Sequence, residues 1–206
     1  MKAWLLRKDG KDETSFRAAV ESVEPPAVQD GEVRVSISHS TLNYKDGLAL
    51  VNKAPVVRLW PMVPGIDGVG TVLESRHADW KTGDAVIHNG WGVGETRWGC
   101  LADEAVLPGA GLVRLPTAFS PQQAVAIGTA GYTAMLCVLA LEKQGVQAGS
   151  GEVLVTGATG GVGSVAVEIL AGLGYDVTAV TGKDKEHDFL KQLGAKEVIS
   201  RHTLEM

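Results

Sequence analysis

The run with the clearest chemical meaning is Thr156-Gly157-Ala158-Thr159-Gly160-Gly161-Val162-Gly163. Its spacing, Gly157-x-x-Gly160 and then Gly161-x-Gly163, departs from GxGxxG but keeps the same physical logic. Small residues let backbone amides approach a pyrophosphate, and the N-terminus of the helix that follows favours negative charge. Thr159, Gly160, Gly161 and Val162 are therefore the expected phosphate-facing residues. A second signal belongs about 20 residues further on, where folds that bind NAD place an Asp or Glu on the ribose hydroxyls. Here the chain reads Val180-Thr181-Gly182-Lys183, with no acid. A hydroxyl and an ammonium suit a 2′-phosphate, whereas a carboxylate would repel it. Thr181, Gly182 and Lys183, with Arg201 as a second cation, read as a site that prefers NADPH to NADH. The bland alternatives are a glycine turn serving helix–strand packing, a solvated lysine and a surface arginine.

These residues need elements to hold them, and the surrounding pattern supplies them. Residues 153–155 form a short apolar run before the glycine loop. Val162, Val165, Ala166, Ile169, Leu170 and Leu173 recur at helical spacing, and Gly174 suits the C-terminal cap. A strand at 177–180, a helix at about 186–193 and a strand at 197–199 complete one βαβαβ half of a doubly wound parallel sheet. The sequence stops just after that third strand. It therefore reads as the half that holds the adenosine end, without the half that frames the nicotinamide.

Upstream the pattern is different. Val33, Val35 and Ile37 alternate with polar neighbours, Gly83-Asp84-Ala85-Val86-Ile87 reads as a turn into a strand, and Glu104-Ala105-Val106-Leu107-Pro108 is a further strand. Short strands with frequent turn signals predict a small barrel-like β domain over 1–120, with the glycine-rich 90–99 stretch as a loop. At Ser120-Pro121-Gln122-Gln123 the sequence turns helical, with Ser120 as N-cap, Pro121 at the first position and Gln123 at the reciprocal capping position. Residues 121–206 then form the nucleotide-binding part. The stretch 129–142 is apolar nearly all round and is expected to be buried between the domains.

Bulk properties remove several function classes. The 206 residues are 45% hydrophobic and 21% charged with a net charge of -5, ordinary for a globular chain and without the basic footprint of a nucleic-acid binder. Two cysteines, Cys100 and Cys137, supply neither a four-thiolate zinc site nor a secreted disulfide framework. The N-terminus becomes charged too early for a signal peptide, and the most apolar stretch, 135–141, is short of the roughly 20 residues of a membrane helix. A cytoplasmic protein with no membrane partner is the default expectation.

Several longer runs carry a family resemblance. Gly65-Ile66-Asp67-Gly68-Val69-Gly70-Thr71-Val72, Gly83-Asp84-Ala85-Val86 and the glycine loop resemble the medium-chain dehydrogenase/reductase superfamily. Asn43-Tyr44-Lys45-Asp46-Gly47, Pro61-Met62-Val63-Pro64-Gly65-Ile66-Asp67, Gly90-Trp91-Gly92-Val93-Gly94-Glu95, Ala126-Ile127-Gly128-Thr129-Ala130-Gly131 and Thr181-Gly182-Lys183 resemble its quinone oxidoreductase-like branch, which contains acryloyl-CoA reductase. The resemblance covers essentially the whole chain. It implies a GroES-like N-terminal domain, NADPH as cofactor, and a chain that usually continues for more than a hundred further residues. A homodimer stays open.

The resemblance also implies chemistry without zinc. Zinc-dependent members place a Cys ligand where this chain has Asn43-Tyr44 and a His where it has Ile66, and catalytic zinc needs about three protein ligands. Without a Lewis acid, reduction of a conjugated C=C or a quinone is the natural reaction, because the substrate carbonyl already makes the β-carbon electrophilic. Tyr44 is implied beside the cofactor, with Asn43 and Asp67 in neighbouring motifs as catalytic candidates. Asn43 and Asp67 have the alternative of turn hydrogen bonding, His39, His88 and Cys100 read as packing or surface residues, and Trp91 and Trp98 as packing beneath the loop or as the lining of a substrate channel. The expected substrate is a short enoyl-CoA such as acryloyl-CoA. The alternatives are an NADPH:quinone oxidoreductase and an inactive nucleotide-binding fragment.

Overall fold

The computed structural model describes residues 1–9 and 15–204. It divides into two compact units, Met1–Thr129 and Ala130–Met206. The first is built from β1 (Lys2–Arg7), β2 (Arg17–Ser22), β3 (Glu32–Ser40), helix α1 (Tyr44–Leu50), β4 (Asp67–Ser75), β5 (Ala85–Asn89), β6 (Glu104–Pro108) and β7 (Leu112–Arg114). β1 and β2 pair antiparallel, and the other five strands form an antiparallel sheet in the order β6-β3-β4-β5-β7. Alternation explains the core: Val33 and Val35 of β3, Val72 of β4, Val86 of β5 and Leu107 of β6 all point inward and are buried together.

β3 and β4 approach so closely that one position between them requires glycine. A Cβ on Gly70 would stand 2.9 Å from Val35 Cγ1 and would overlap the Ser36 carbonyl. The adjoining register shifts between Arg34/Val35 and Ile37/His39 bend β3 over this point. Gly65, just before β4, has φ of +104° and would press a Cβ to 2.6 Å from Leu101 N. The Gly65-Ile66-Asp67-Gly68-Val69-Gly70 run is thus glycine-rich for steric reasons that act around Asp67.

Helix α2 (Pro121–Lys143) follows. Ser120 and Gln123 form the expected reciprocal cap: Ser120 N–H donates to Gln123 Oε1 at 2.9 Å, and Gln123 N–H to Ser120 Oγ at 3.2 Å. Gly128 interrupts the helix with φ 48° and ψ -162°. Before the break, Ala124 and Val125 pack on Val69. This explains why the first unit extends to Thr129, whereas the sequence changes character near 120. Two expectations for this helix need correction. It is 23 residues long with mean hydropathy 1.9 over its most apolar window, enough by length and composition to cross a membrane. Gly128 breaks it, and Ala124, Val125, Ala134 and Val138 are buried. Nor is it buried all round, since Tyr132, Met135, Leu136 and Leu139 are exposed.

The second unit continues with β8 (Glu152–Val155), α3 (Gly161–Gly172), β9 (Asp176–Thr181), a 3₁₀ turn, α4 (His187–Gln192) and β10 (Glu197–Ser200). The strands are parallel in the order β10-β9-β8, the geometry that needs helical crossovers. Val167 and Leu170 of α3, Val177 and Ala179 of β9, Leu190 of α4 and Val138 of α2 form its core. The fold is mixed α/β, a β-rich domain followed by a βαβαβ Rossmann half.

His88 on β5 gives this fold a pH signature. It is 1% exposed, its Nε2–H donates to Gly90 O at 3.1 Å, and its buried Nδ1 has no hydrogen-bond partner among the described residues. Burial pushes its pKa below the ordinary imidazole value, despite the opposing pull of backbone carbonyls and Asp67. The unfolded chain therefore binds the proton first, and stability is lost as pH falls below about 6.5 toward the folded value. Melting curves should show a slope of at most about 1.4 kcal/mol per pH unit over that range, which His88→Leu flattens. Asp46 acts in the opposite sense. Burial raises its pKa, so its stabilising effect is present in acid and lost as pH rises through the folded value.

Candidate active site

In the first unit the site is organised by Asp67, the first residue of β4, which is fully buried. Its Oδ2 accepts from Asn43 Nδ2 at 2.8 Å and from Thr129 N–H at 2.9 Å. Its Oδ1 accepts from Asn89 Nδ2 at 2.8 Å and from the Thr129 hydroxyl. Four neutral donors thus saturate the roughly four acceptor positions of one carboxylate. Its backbone carbonyl also accepts from Ser40 Oγ at 2.8 Å. Gly128 must be small for the same reason, since a Cβ there would lie 3.0 Å from Asp67 Oδ2.

A second buried carboxylate sets the start of α1. Asp46 Oδ2 accepts from Asn43 N–H at 2.8 Å, and Oδ1 accepts from the amides of Gly65 and Ile66, both at 3.2 Å. Asn43 is therefore fixed twice, by backbone through Asp46 and by side chain through Asp67. Tyr44 opens α1 with 86% of its surface exposed. The structure brings Asn43 and Asp67 into direct contact and leaves the Tyr44 ring open.

Other residues singled out in the sequence lie elsewhere. Ile66 is buried, and among the described residues no group of three His, Cys, Asp or Glu side chains is placed to hold a metal ion. Cys100 is buried, and burial raises its thiol well above the usual range. His39 touches Ser38 Oγ at 3.1 Å. Trp98 packs beneath its loop and donates Nε1–H to Pro61 O at 2.8 Å, while Trp91 is exposed. Asn89 and Thr129 were missed. Each reads locally as a strand end or a helix start, and only the sheet brings them to Asp67.

In the second unit the glycine loop runs from the end of β8 to α3. Gly157 has φ of +60°, and Gly163 packs so tightly that a Cβ would lie 2.8 Å from Ala158 Cα. Gly160 is the N-cap residue of α3, with no side chain capping the helix and no acid in its first turn. The free first-turn amides and the positive end of the helix dipole suit an anion. Beside the loop lies a hollow of about 460 Å³ whose lining includes Cys137, Leu141, Leu154, Gly157, Gly161 and Ala166. At the end of β9, Thr159 Oγ1 and Thr181 Oγ1 are 3.4 Å apart, and Thr181 Oγ1 accepts from Lys183 N–H at 3.1 Å. Arg201 lies directly over Gly182: a Cβ there would stand 2.9 Å from its Cδ and Nε. Thr181, Gly182 and Arg201 are thus brought together, Lys183 follows along the turn, and Lys183 and Arg201 are exposed.

Comparison with known proteins agrees with this fold. Residues 29–117 match the alcohol dehydrogenase GroES-like domain family. The YhdH oxidoreductase of Salmonella enterica, solved in complex with NADP, superposes with a TM-score of 0.92 at 46% identity over 98% of this chain and 62% of that one. Over nearly its whole length the chain is similar to members of the medium-chain dehydrogenase/reductase superfamily. Within that superfamily it is 49% identical to the acrylyl-CoA reductase AcuI of Ruegeria pomeroyi over 93% of this chain and 58% of that protein. It also superposes on YhfP of Bacillus subtilis, solved with NAD bound, with a TM-score of 0.91 at 41% identity, covering all of this chain and 61% of that one. The chain thus spans about 60% of the length of these superfamily members.

Asp67→Asn should destabilise the first unit by about 1.5–3 kcal/mol, because an amide cannot accept four hydrogen bonds and turns its own donors toward those of its neighbours. A urea midpoint indistinguishable from that of the parent chain would contradict the described network.

Proposed function

We propose that the chain carries the substrate-side domain and the adenosine-binding half of an NADPH-dependent reductase of activated C=C bonds, with a short enoyl-CoA such as acryloyl-CoA as substrate. The observation that carries this reading is the likeness to acrylyl-CoA reductase over 93% of the chain. The donor set supports chemistry without zinc. Ile66 offers no ligand, and the neutral amide of Asn43 is a poor substitute for the thiolate that zinc-dependent members carry there.

NADPH, when bound, supplies the hydride for the substrate β-carbon. The protein's part is to position the reactants and stabilise the oxygen that becomes negative as the enolate forms. Asn43 is the donor for that oxygen, Asp67 holds Asn43, and the exposed Tyr44 ring lies along the cofactor. Thr159, Gly160, Gly161 and Val162 receive the pyrophosphate, and Thr181, Gly182, Lys183 and Arg201 receive the 2′-phosphate. The same reading places the protein in the cytoplasm and leaves a homodimer as its candidate assembly.

NADPH consumption with acryloyl-CoA and with a simple quinone tests the substrate. Faster turnover of acryloyl-CoA is expected, and a clear preference for the quinone would reverse the order. For the cofactor, Lys183→Glu combined with Arg201→Ala should weaken NADPH binding about tenfold, or about 1.4 kcal/mol, and leave NADH within about twofold. Equal loss for both cofactors would remove these residues from the 2′-phosphate site.

A further inference from the structure

We infer that Asn89 is a second oxyanion donor beside Asn43, the two amides forming a paired site for the carbonyl oxygen of an activated substrate. The inference deepens the reductase reading and rests on it. Asn89 is the last residue of β5 and pairs directly across the sheet with Asp67 at the start of β4. Its Nδ2 donates to Asp67 Oδ1 at 2.8 Å, while Asn43 Nδ2 donates to Oδ2 of the same carboxylate at 2.8 Å. Both residues are half-buried.

Asp67 dictates how each amide is oriented. An ionised carboxylate only accepts hydrogen bonds, so each amide must turn its nitrogen, not its oxygen, toward it. An amide nitrogen carries two hydrogens, and the Asp67 bond uses one. Each amide so oriented keeps a second hydrogen that Asp67 does not use, and the Asn43 side chain also lies against the Asp46 carboxylate. The two nitrogens are bonded to the two oxygens of one carboxylate. Thr129 takes the remaining acceptor positions through its N–H and its hydroxyl. Asp67 is thereby filled and acts as a positioning residue. Donors held in place before the reaction stabilise a developing oxyanion without reorganising at the moment it forms.

A nitrophenol tests the site without turnover, because its phenolate oxygen resembles an enolate oxygen and its colour reports ionisation. The 206-residue chain should bind the phenolate in preference to the neutral phenol and lower its apparent pKa. Asn89→Ser keeps a hydroxyl donor for Asp67 but loses the second hydrogen. This variant and Asn43→Ser should each weaken phenolate binding at least about tenfold and leave phenol binding unchanged. Asn89→Gln, which keeps an amide displaced by a methylene, supplies the same comparison if the serine variant fails to fold. Equal phenolate affinity in the parent chain and the Asn89 variants, or no preference for phenolate in the parent chain, would overturn the inference. An NADPH titration of the same samples separates the two levels. NADPH binding without phenolate selectivity overturns the amide pair alone, whereas phenolate selectivity without NADPH binding supports the pair and removes the reductase reading.

Discussion

The first unit depends on a buried carboxylate held by neutral donors. Asp67 can remain there because four hydrogen bonds from Asn43, Asn89 and Thr129 replace the water it gave up. Each donor comes from a different part of the chain: the residue before α1, the end of β5, and the point where α2 resumes after Gly128. Removing any one leaves a charged oxygen short of a partner, which is costly away from solvent. The glycines around it follow from the same constraint. Gly128 leaves room for Oδ2, and Gly65 and Gly70 allow the backbone on either side of Asp67 to approach its neighbours closely.

The second unit works by a different rule, the close approach of backbone to backbone. Gly163 lets α3 press onto the loop at Ala158, which leaves the start of the helix uncapped by any side chain. An uncapped helix start next to a glycine turn is a place for an anion to complete the hydrogen bonding. At the end of β9 the bare Gly182 serves a related purpose, since it allows the Arg201 side chain to lie flat on the turn that carries Lys183. That turn, Val180-Thr181-Gly182-Lys183, carries no carboxylate.

Much of this was legible in the sequence where the determining interactions are local. The strand–loop–helix–strand order of the second unit followed from the spacing of Val162, Val165, Ala166, Ile169, Leu170 and Leu173, and Gly174 takes the expected positive φ. The Ser120–Gln123 cap was legible for the same reason. The apolar stretch after Thr129 was misread, because composition gives the hydrophobicity of a face and not what covers it; Met135, Leu136 and Leu139 remain exposed. The site was half legible. Asn43 and Asp67 stood out through family-like motifs, but Asn89 and Thr129 reach Asp67 across 22 and 62 residues. No local pattern marks an asparagine at a strand end as part of a charge network.

The most direct test of the central claim is a thermal-shift titration of the 206-residue chain with NADPH and NADH in parallel. The geometry at Thr181, Gly182, Lys183 and Arg201 predicts a rise in melting temperature that saturates at lower NADPH than NADH concentration. Equal stabilisation by the two, or a larger effect of NADH, would contradict the assignment of a 2′-phosphate site to these residues.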